Sequence, residues 1–124
     1  KNAHITGEGT YAVGLDFTNC GAANGTAFSA LGISNGEVLF PGYIYTVDEI
    51  LINGEPLALS AKGCTTSDDD LCSRVNLYNA WVKEVPSDAR TVDGDLSGCS
   101  AQIMELDSKT RVNTIEVTFT VTAP

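Results

Sequence analysis

The chain has 124 residues, of which 43% are hydrophobic and 19% charged, and its 16 acidic residues outnumber its 7 basic ones to give a net charge of −9. This length predicts one domain over residues 1–124, large enough to bury about two thirds of its unfolded surface. No apolar run approaches the ~20 residues of a membrane-spanning helix, and the acidic balance argues against nucleic acid and anionic membranes as partners. We expect a monomer.

Strand periodicity dominates the first half of the chain. Apolar side chains alternate with small or polar ones along Thr10–Phe17, which predicts a half-buried antiparallel strand. A second strand is predicted over Tyr43–Ile52, where an acidic residue interrupts the alternation and indicates a bulge near Asp48–Glu49. Asn53–Gly54 then favours a tight hairpin turn, and Pro56–Leu59 a short edge strand.

The second half continues the pattern. A strand is predicted over Arg74–Val82. Its predicted core-facing residues are Val75 and Leu77, and its predicted outward residues are Arg74, Asn76 and Tyr78. Further strands are predicted over Gln102–Leu106 and Thr114–Val121, and Ser67 could cap a helical turn over Ser67–Leu71. Turn residues about every ten positions predict an all-β fold, an antiparallel β-sandwich of the jelly-roll or Ig-like type.

Cysteine usage indicates an oxidising compartment. The four cysteines are Cys20, Cys64, Cys72 and Cys99, and they lack the tight pair typical of zinc motifs. We expect two disulfides, Cys64–Cys72 closing a local loop and Cys20–Cys99 joining distant loops; four cysteines allow three connectivities, and free buried thiols are the alternative. Since the chain begins at Lys1 without a signal-peptide pattern, we expect a secreted chain after processing, or a module excised from a larger protein.

The sequence offers little support for an enzyme. The single histidine, His4, lies near the terminus, where a Ser–His–Asp arrangement would not be held rigidly. A glycoside hydrolase needs only two carboxylates, but most acidic residues fall in predicted loops or on solvent faces. The clusters Asp68–Asp70 and Asp93–Asp95 are interpreted as solvated turns, with a calcium site as the alternative. We therefore expect no catalytic residues and no required cofactor.

Aromatic residues beside polar ones favour a sugar-binding surface. Trp81 is the single tryptophan; its parity with Val75 and Leu77 favours the core, whereas its place at the strand end favours the surface. Sugar rings stack their apolar C–H faces on aromatic rings, and their hydroxyls bond to amide and guanidinium groups. The predicted ligand-binding residues are Trp81, Tyr78, Asn76, Tyr43, Arg74 and Gln102.

Six segments also resemble a known family in their order along the chain. They are Gly9–Phe17, Ala27–Ile33, Phe40–Tyr43, Ile50–Gly54, Arg74–Trp81 and Ile115–Val121. Together they are similar to β-sandwich carbohydrate-binding modules attached to bacterial plant-cell-wall-degrading enzymes of the endoglucanase type. The resemblance implies a secreted, non-catalytic module that binds soluble or amorphous β-glucans, including xyloglucan or glucomannan. The expected disulfides are not a general feature of such modules.

Two other functions remain open from the sequence. An Ig-like spacer or adhesion domain without a sugar site would have Trp81 buried in the core. A small calcium-dependent hydrolase would release reducing sugar in a reaction that a chelator abolishes. The sequence thus predicts a polysaccharide-binding module, with the exposure of Trp81 as the feature that separates it from a spacer.

Overall fold

The computed structural model describes residues 1–18, 28–107 and 111–124. The strands in these ranges are β1 (Gly9–Asp16), β2 (Phe28–Ile33), β3 (Ile44–Ile52), β4 (Glu55–Leu57), β5 (Thr66–Ser67), β6 (Ser73–Asn79) and β7 (Thr114–Thr122), with a short helix α1 (Gly36–Leu39). They form two antiparallel sheets, ordered β1–β7–β3–β4 and β2–β6–β5.

Buried residues from both sheets form one hydrophobic cluster. The first sheet contributes Tyr45, Val47, Ile50, Ile52, Val117, Phe119 and Val121, and the second contributes Leu31, Ile33, Val75 and Leu77. Ile103 and Met104, which lie outside the named strands, complete the cluster and are fully buried. Two sheets that share one core are the arrangement of a β-sandwich, so the predicted all-β fold class is confirmed.

The terminal strands are confirmed as predicted. β1 pairs along its whole length with β7, with Tyr11 opposite Phe119 and Val13 opposite Val117. The rings of Tyr11 and Phe119 stack at a centroid distance of 5.9 Å. The alternation that predicted both strands therefore turns one apolar face of each toward the core.

The predicted bulge and hairpin are both present. The register of β3 against β7 shifts between Val47 and Glu49. Asn53 and Gly54 have φ values of 53° and 81°, and positive φ at both central residues is what a type I′ turn requires. The Asn53 Oδ1 accepts the backbone N–H of Thr114 at 3.1 Å, which ties the turn to β7. β4 is shorter than the edge strand predicted over Pro56–Leu59.

The remaining predictions need correction. β6 ends at Asn79 rather than Val82. Gln102–Leu106 forms no strand and contributes an isolated bridge between Met104 and Leu59. The Ser67–Leu71 segment is not helical, because the Asp68 side chain turns the chain by accepting the backbone N–H of Asp70 at 3.0 Å.

The short helix α1 was not predicted, since four residues are too few to show helical periodicity. In the described ranges, no helix is long and apolar enough to cross a membrane.

Candidate functional site

The outer face of the β2–β6–β5 sheet carries two of the predicted ligand residues. Ser73, Val75 and Leu77 of β6 are buried, and Arg74 and Asn76 between them point away from the core and are half-buried. We call Arg74, Asn76 and the β2 residues opposite them the outer face.

The outward position predicted for Tyr78 needs correction. The register of β6 against β2 shifts between Ser29 and Ala30, and Tyr78, which lies beyond that shift, packs against the hydrophobic core. The sequence periodicity is thus correct for Arg74 and Asn76 and fails at the bulge.

The β2 residues of the outer face have small side chains or none. Ser29 lies opposite Tyr78, Ala30 opposite Asn76 and Gly32 opposite Arg74. A Cβ added at Gly32 would meet no atom within 4 Å. Ala30 and Gly32 of β2 thus lie beside the larger Asn76 and Arg74 of β6.

Trp81 lies beyond the end of β6 and is 74% exposed. The cause is local, because the Asn79 Oδ1 accepts the backbone N–H groups of Trp81 and Val82 at 2.9 and 3.0 Å. An asparagine side chain that bonds to the following backbone competes with strand pairing. The strand therefore stops before the periodicity could bury the indole, and the core position that parity favoured for Trp81 is wrong.

A second exposed aromatic ring, which the sequence did not single out, lies on the same sheet. Phe28 is 45% exposed and is opposite Asn79 at the end of β6 nearer Trp81. The Arg74 guanidinium lies 6.0 Å from the centroid of the Phe28 ring, within cation–π range. Its Nη2 also donates to Asp68 Oδ2 at 3.0 Å, which fixes the guanidinium over the sheet.

Asn76 is the polar residue at the middle of the outer face. Its Oδ1 is buried and accepts no hydrogen bond from any described residue. A buried acceptor without a donor costs about 1–3 kcal/mol. An outward rotation of the amide would expose this oxygen to a ligand hydroxyl and relieve that cost.

The structure does not bring Tyr43 to the outer face. The Tyr43 carbonyl oxygen accepts two hydrogen bonds from Arg90, whose guanidinium also bonds to Glu37. Glu37 in turn accepts a hydrogen bond from Ser73, at the start of β6. Because each strand residue advances about 3.3 Å, this end of β6 lies about 20 Å from the end that leads to Trp81. Tyr43 packs instead on the core and on Phe40, with 5.2 Å between the centroids of the two rings.

Gln102 is close to β6 but is not available to solvent. It is 6% exposed, and its Nε2 donates to Glu105 Oε2 at 3.0 Å. The next residue along, Ile103, donates its N–H to the Leu77 carbonyl at 2.9 Å. The chain therefore holds Gln102 against the sheet with its amide already bonded, which corrects its prediction as a hydroxyl partner.

The two acidic clusters are occupied by groups of the protein itself. Asp93 accepts hydrogen bonds from the Lys62 ammonium and the Thr91 hydroxyl. The backbone N–H of Asp95, together with these two donors, lowers the pKa of Asp93 to about 2. Asp68 pairs with Arg74. Over residues 1–18, 28–107 and 111–124, no group of three or more His, Cys, Asp or Glu is placed to hold a metal ion.

Several carboxylates are held in the ionised form. The Arg90 guanidinium lowers the pKa of Glu37, and the Ser67 hydroxyl and backbone N–H lower the pKa of Asp88. A general acid at neutral pH needs a raised carboxyl pKa, so these two groups are suited to structural bonding. His4 is exposed near the chain start.

The cysteines do not follow the predicted local pairing. Cys64, Cys72 and Cys99 are free thiols. The β5–β6 register sets Thr66 opposite Arg74, and continuing it places Cys64 level with Asn76, four residues from Cys72. At about 3.3 Å per residue this separates the two by about 13 Å, beyond disulfide reach. Cys20, the predicted partner of Cys99, lies outside the described residues.

Comparison with known proteins adds no relative: no family model matches the chain, and neither a curated protein nor a solved structure matches it. The candidate site therefore rests on its own geometry. That geometry places Arg74 and Asn76 on one face, with Phe28 at the end of β6 that leads to Trp81, and it leaves out Tyr43, Tyr78 and Gln102.

Proposed function

We propose that this protein is a secreted, non-catalytic carbohydrate-binding module that binds β-glucan chains along the outer face of the β2–β6–β5 sheet. The single observation that carries the proposal is the 74% exposure of Trp81. A tryptophan ring combines a large apolar face with one polar N–H, and exposed tryptophan contributes most of the binding energy at many recognition surfaces.

The surroundings of Trp81 support a sugar ligand. Phe28 offers a second exposed ring, opposite Asn79 at the same end of the sheet. Arg74 and Asn76 supply guanidinium and amide groups along β6. Rings that stack on pyranose C–H faces, together with planar donors and acceptors for hydroxyls, are the chemistry that a polysaccharide requires.

The ligand class follows from charge and shape. With a net charge of −9, the protein repels acidic polymers and favours uncharged ones such as β-1,4- or mixed-linkage glucan, xyloglucan or glucomannan. Ala30 and Gly32 of β2 are small, so they leave room for a glucan chain to lie along the sheet. An open surface orders few groups of the ligand, so the affinity for glucan is modest. In this proposal the module acts as a monomer attached to a hydrolase.

The spacer alternative loses its distinguishing feature. A spacer without a sugar site would have the tryptophan in the core, whereas Trp81 is in solvent. A metal-dependent hydrolase also lacks support, because the described carboxylate clusters bond to Lys62 and Arg74 instead.

A binding screen on plant polysaccharides tests the proposal. The wild-type chain is expected to be retarded in gels that contain one or more uncharged β-glucans. Trp81→Ala should weaken this binding about tenfold to a hundredfold, since a nucleobase gains about 1–3 kcal/mol by stacking on one aromatic ring and we expect a similar gain for a sugar ring.

The matched control is Leu39→Ala, which removes a 65% exposed apolar side chain from α1. Since α1 is tied to the opposite end of β6, the control should bind as the wild type does. Equal retardation of the wild type and Trp81→Ala on every bound polysaccharide would contradict the role of Trp81, and no retardation at all would contradict the function.

A further inference from the structure

Two of the cysteines lie side by side where residues 62–64 run along residues 98–100. Lys62 and Cys99 form a parallel bridge. The Lys62 N–H donates to the Gly98 carbonyl at 3.2 Å, and the Ser100 N–H donates to the Lys62 carbonyl at 3.0 Å. The Cys99 Sγ lies 3.9 Å from the carbonyl oxygen of Gly63, the residue before Cys64.

The same register places both thiols on one side of this pair of segments. Residues paired across a bridge share a face, and so do residues two apart along an extended chain. Cys99 therefore shares a face with Lys62, and Lys62 shares that face with Cys64. The two sulfur-bearing side chains are diagonal neighbours, whereas Cys72 lies in the turn that joins β5 to β6.

We propose that Cys64 and Cys99 are a redox pair that closes to an intramolecular disulfide when the protein meets a small-molecule disulfide such as oxidised glutathione. This site is separate from the outer face and does not depend on sugar binding. It replaces the pairing Cys64–Cys72 with one that the register allows.

The backbone beside Cys99 can make the shift that closure needs. A disulfide requires Cα atoms within about 7 Å, and each cysteine follows a glycine, Gly63 before Cys64 and Gly98 before Cys99. Gly98 has a φ of 74°, a conformation that favours glycine. A Cβ added at Gly98 would meet no atom within 4 Å, so the chain beside Cys99 has room to move.

The exchange proceeds through Cys99. Cys99 is half-buried, whereas Cys64 is 6% exposed, and burial, with smaller effects from Cys99 and Asp88, raises the pKa of the Cys64 thiol to about 11. The thiolate is the attacking form, so Cys99 attacks glutathione disulfide first.

That attack forms a mixed disulfide and releases one glutathione thiolate. Cys64 then loses its proton and attacks the Cys99 sulfur, which expels the second glutathione as thiolate. Both thiolates take up the protons that the cysteines released. Two protein thiols are thus oxidised to one disulfide, and one glutathione disulfide is reduced to two thiols.

Disulfide mapping of the full chain tests the proposal. The folded protein is incubated with oxidised glutathione, its free thiols are alkylated, and its peptides are analysed by mass spectrometry without reduction. The expected product joins Cys64 to Cys99 and leaves Cys72 alkylated. The disulfide closes a loop over residues 65–98, so the melting temperature should rise by about 10 °C.

Variants separate this pair from the other connectivities. Cys72→Ser should retain the cross-link, Cys99→Ser should lose both the cross-link and the rise in melting temperature, and Cys64→Ser should hold one glutathione on Cys99. If Cys64→Ser does not fold, Cys99→Ser still tests the pair, because Cys99 is only half-buried and its loss should abolish the cross-link.

The proposal is overturned by three results. The first is Cys64 joined to Cys72 or Cys20, and the second is Cys64 and Cys99 both alkylated after oxidation. The third is a Cys64–Cys99 bond that forms only in urea-unfolded protein, since the native fold would then not present the pair.

Discussion

At the scale of single residues, Trp81 shows how one side chain overrides a pattern. Its parity with Val75 and Leu77 favours burial, yet the Asn79 amide bonds to the two N–H groups that the strand would need next. The sequence contains this signal, because asparagine favours local backbone bonding over strand pairing. Periodicity alone does not include it, so the alternation by itself leaves the exposure of Trp81 open.

Gly32 allows a test of the outer face that leaves the fold intact. Gly32→Gln places a long side chain on the outer face beside Arg74, where an added Cβ meets no atom within 4 Å. We expect glucan binding to weaken about tenfold or more, since the side chain occupies space that the ligand uses. The melting temperature should stay the same or rise, because glycine inside a strand is unfavourable.

Affinity electrophoresis and thermal denaturation measure the two effects. Thr118→Gln is the matched control, because Thr118 is half-exposed on β7 of the other sheet. If Gly32→Gln binds glucan as tightly as Thr118→Gln does, the ligand does not lie along β2.

At the scale of elements, the predictable parts are those that short-range chemistry determines. The Asn53–Gly54 turn and the alternation in β1 and β7 are local, and each is present as predicted. The segment after β6 is different, because it is held by contacts distant in sequence. Ala101 donates to the Lys83 carbonyl and Ile103 to the Leu77 carbonyl, and no period marks such pairings.

The connection between α1 and the sandwich predicts a pH-dependent stability. The Arg90 guanidinium bonds to both Glu37 carboxylate oxygens at 2.9 Å and lowers the pKa of Glu37 below its ordinary 4.5. A lowered folded-state pKa adds stability that is complete above the unfolded pKa and is lost as the pH falls through the folded one. Glu37→Gln should therefore lower the free energy of unfolding at pH 7 by about 1–3 kcal/mol.

Urea denaturation from pH 7 to pH 3 measures this difference. The gap between the wild type and Glu37→Gln should be constant above about pH 5 and should shrink below about pH 4, as the wild-type carboxyl takes up a proton. Glu55→Gln, on the exposed start of β4, is the control and should change little. A gap that is the same at pH 3 as at pH 7 would show that the Glu37 charge is not what stabilises this end of the sandwich.

At the scale of the whole molecule, the two outer surfaces differ in chemistry. The surface of the first sheet is rich in threonine along β7. Its half-buried threonines are Thr114, Thr118, Thr120 and Thr122. The outer face of the second sheet carries the aromatic, amide and guanidinium groups. The core and the fold class follow from composition and alternation, whereas the difference between the two surfaces depends on where β6 ends and on which residues of β2 are small.

The central claim is that Trp81 stacks on a sugar ring of an uncharged β-glucan, and tryptophan fluorescence tests it most directly. The chain has a single tryptophan, so all indole emission reports on this position. The free protein should emit at the long wavelength of an indole in water, because Trp81 is 74% exposed. Titration with an oligosaccharide of the polysaccharide that the screen identifies should shift this emission to shorter wavelength and saturate. Emission that does not change while the same ligand binds, or emission that is already at short wavelength without ligand, would contradict the account.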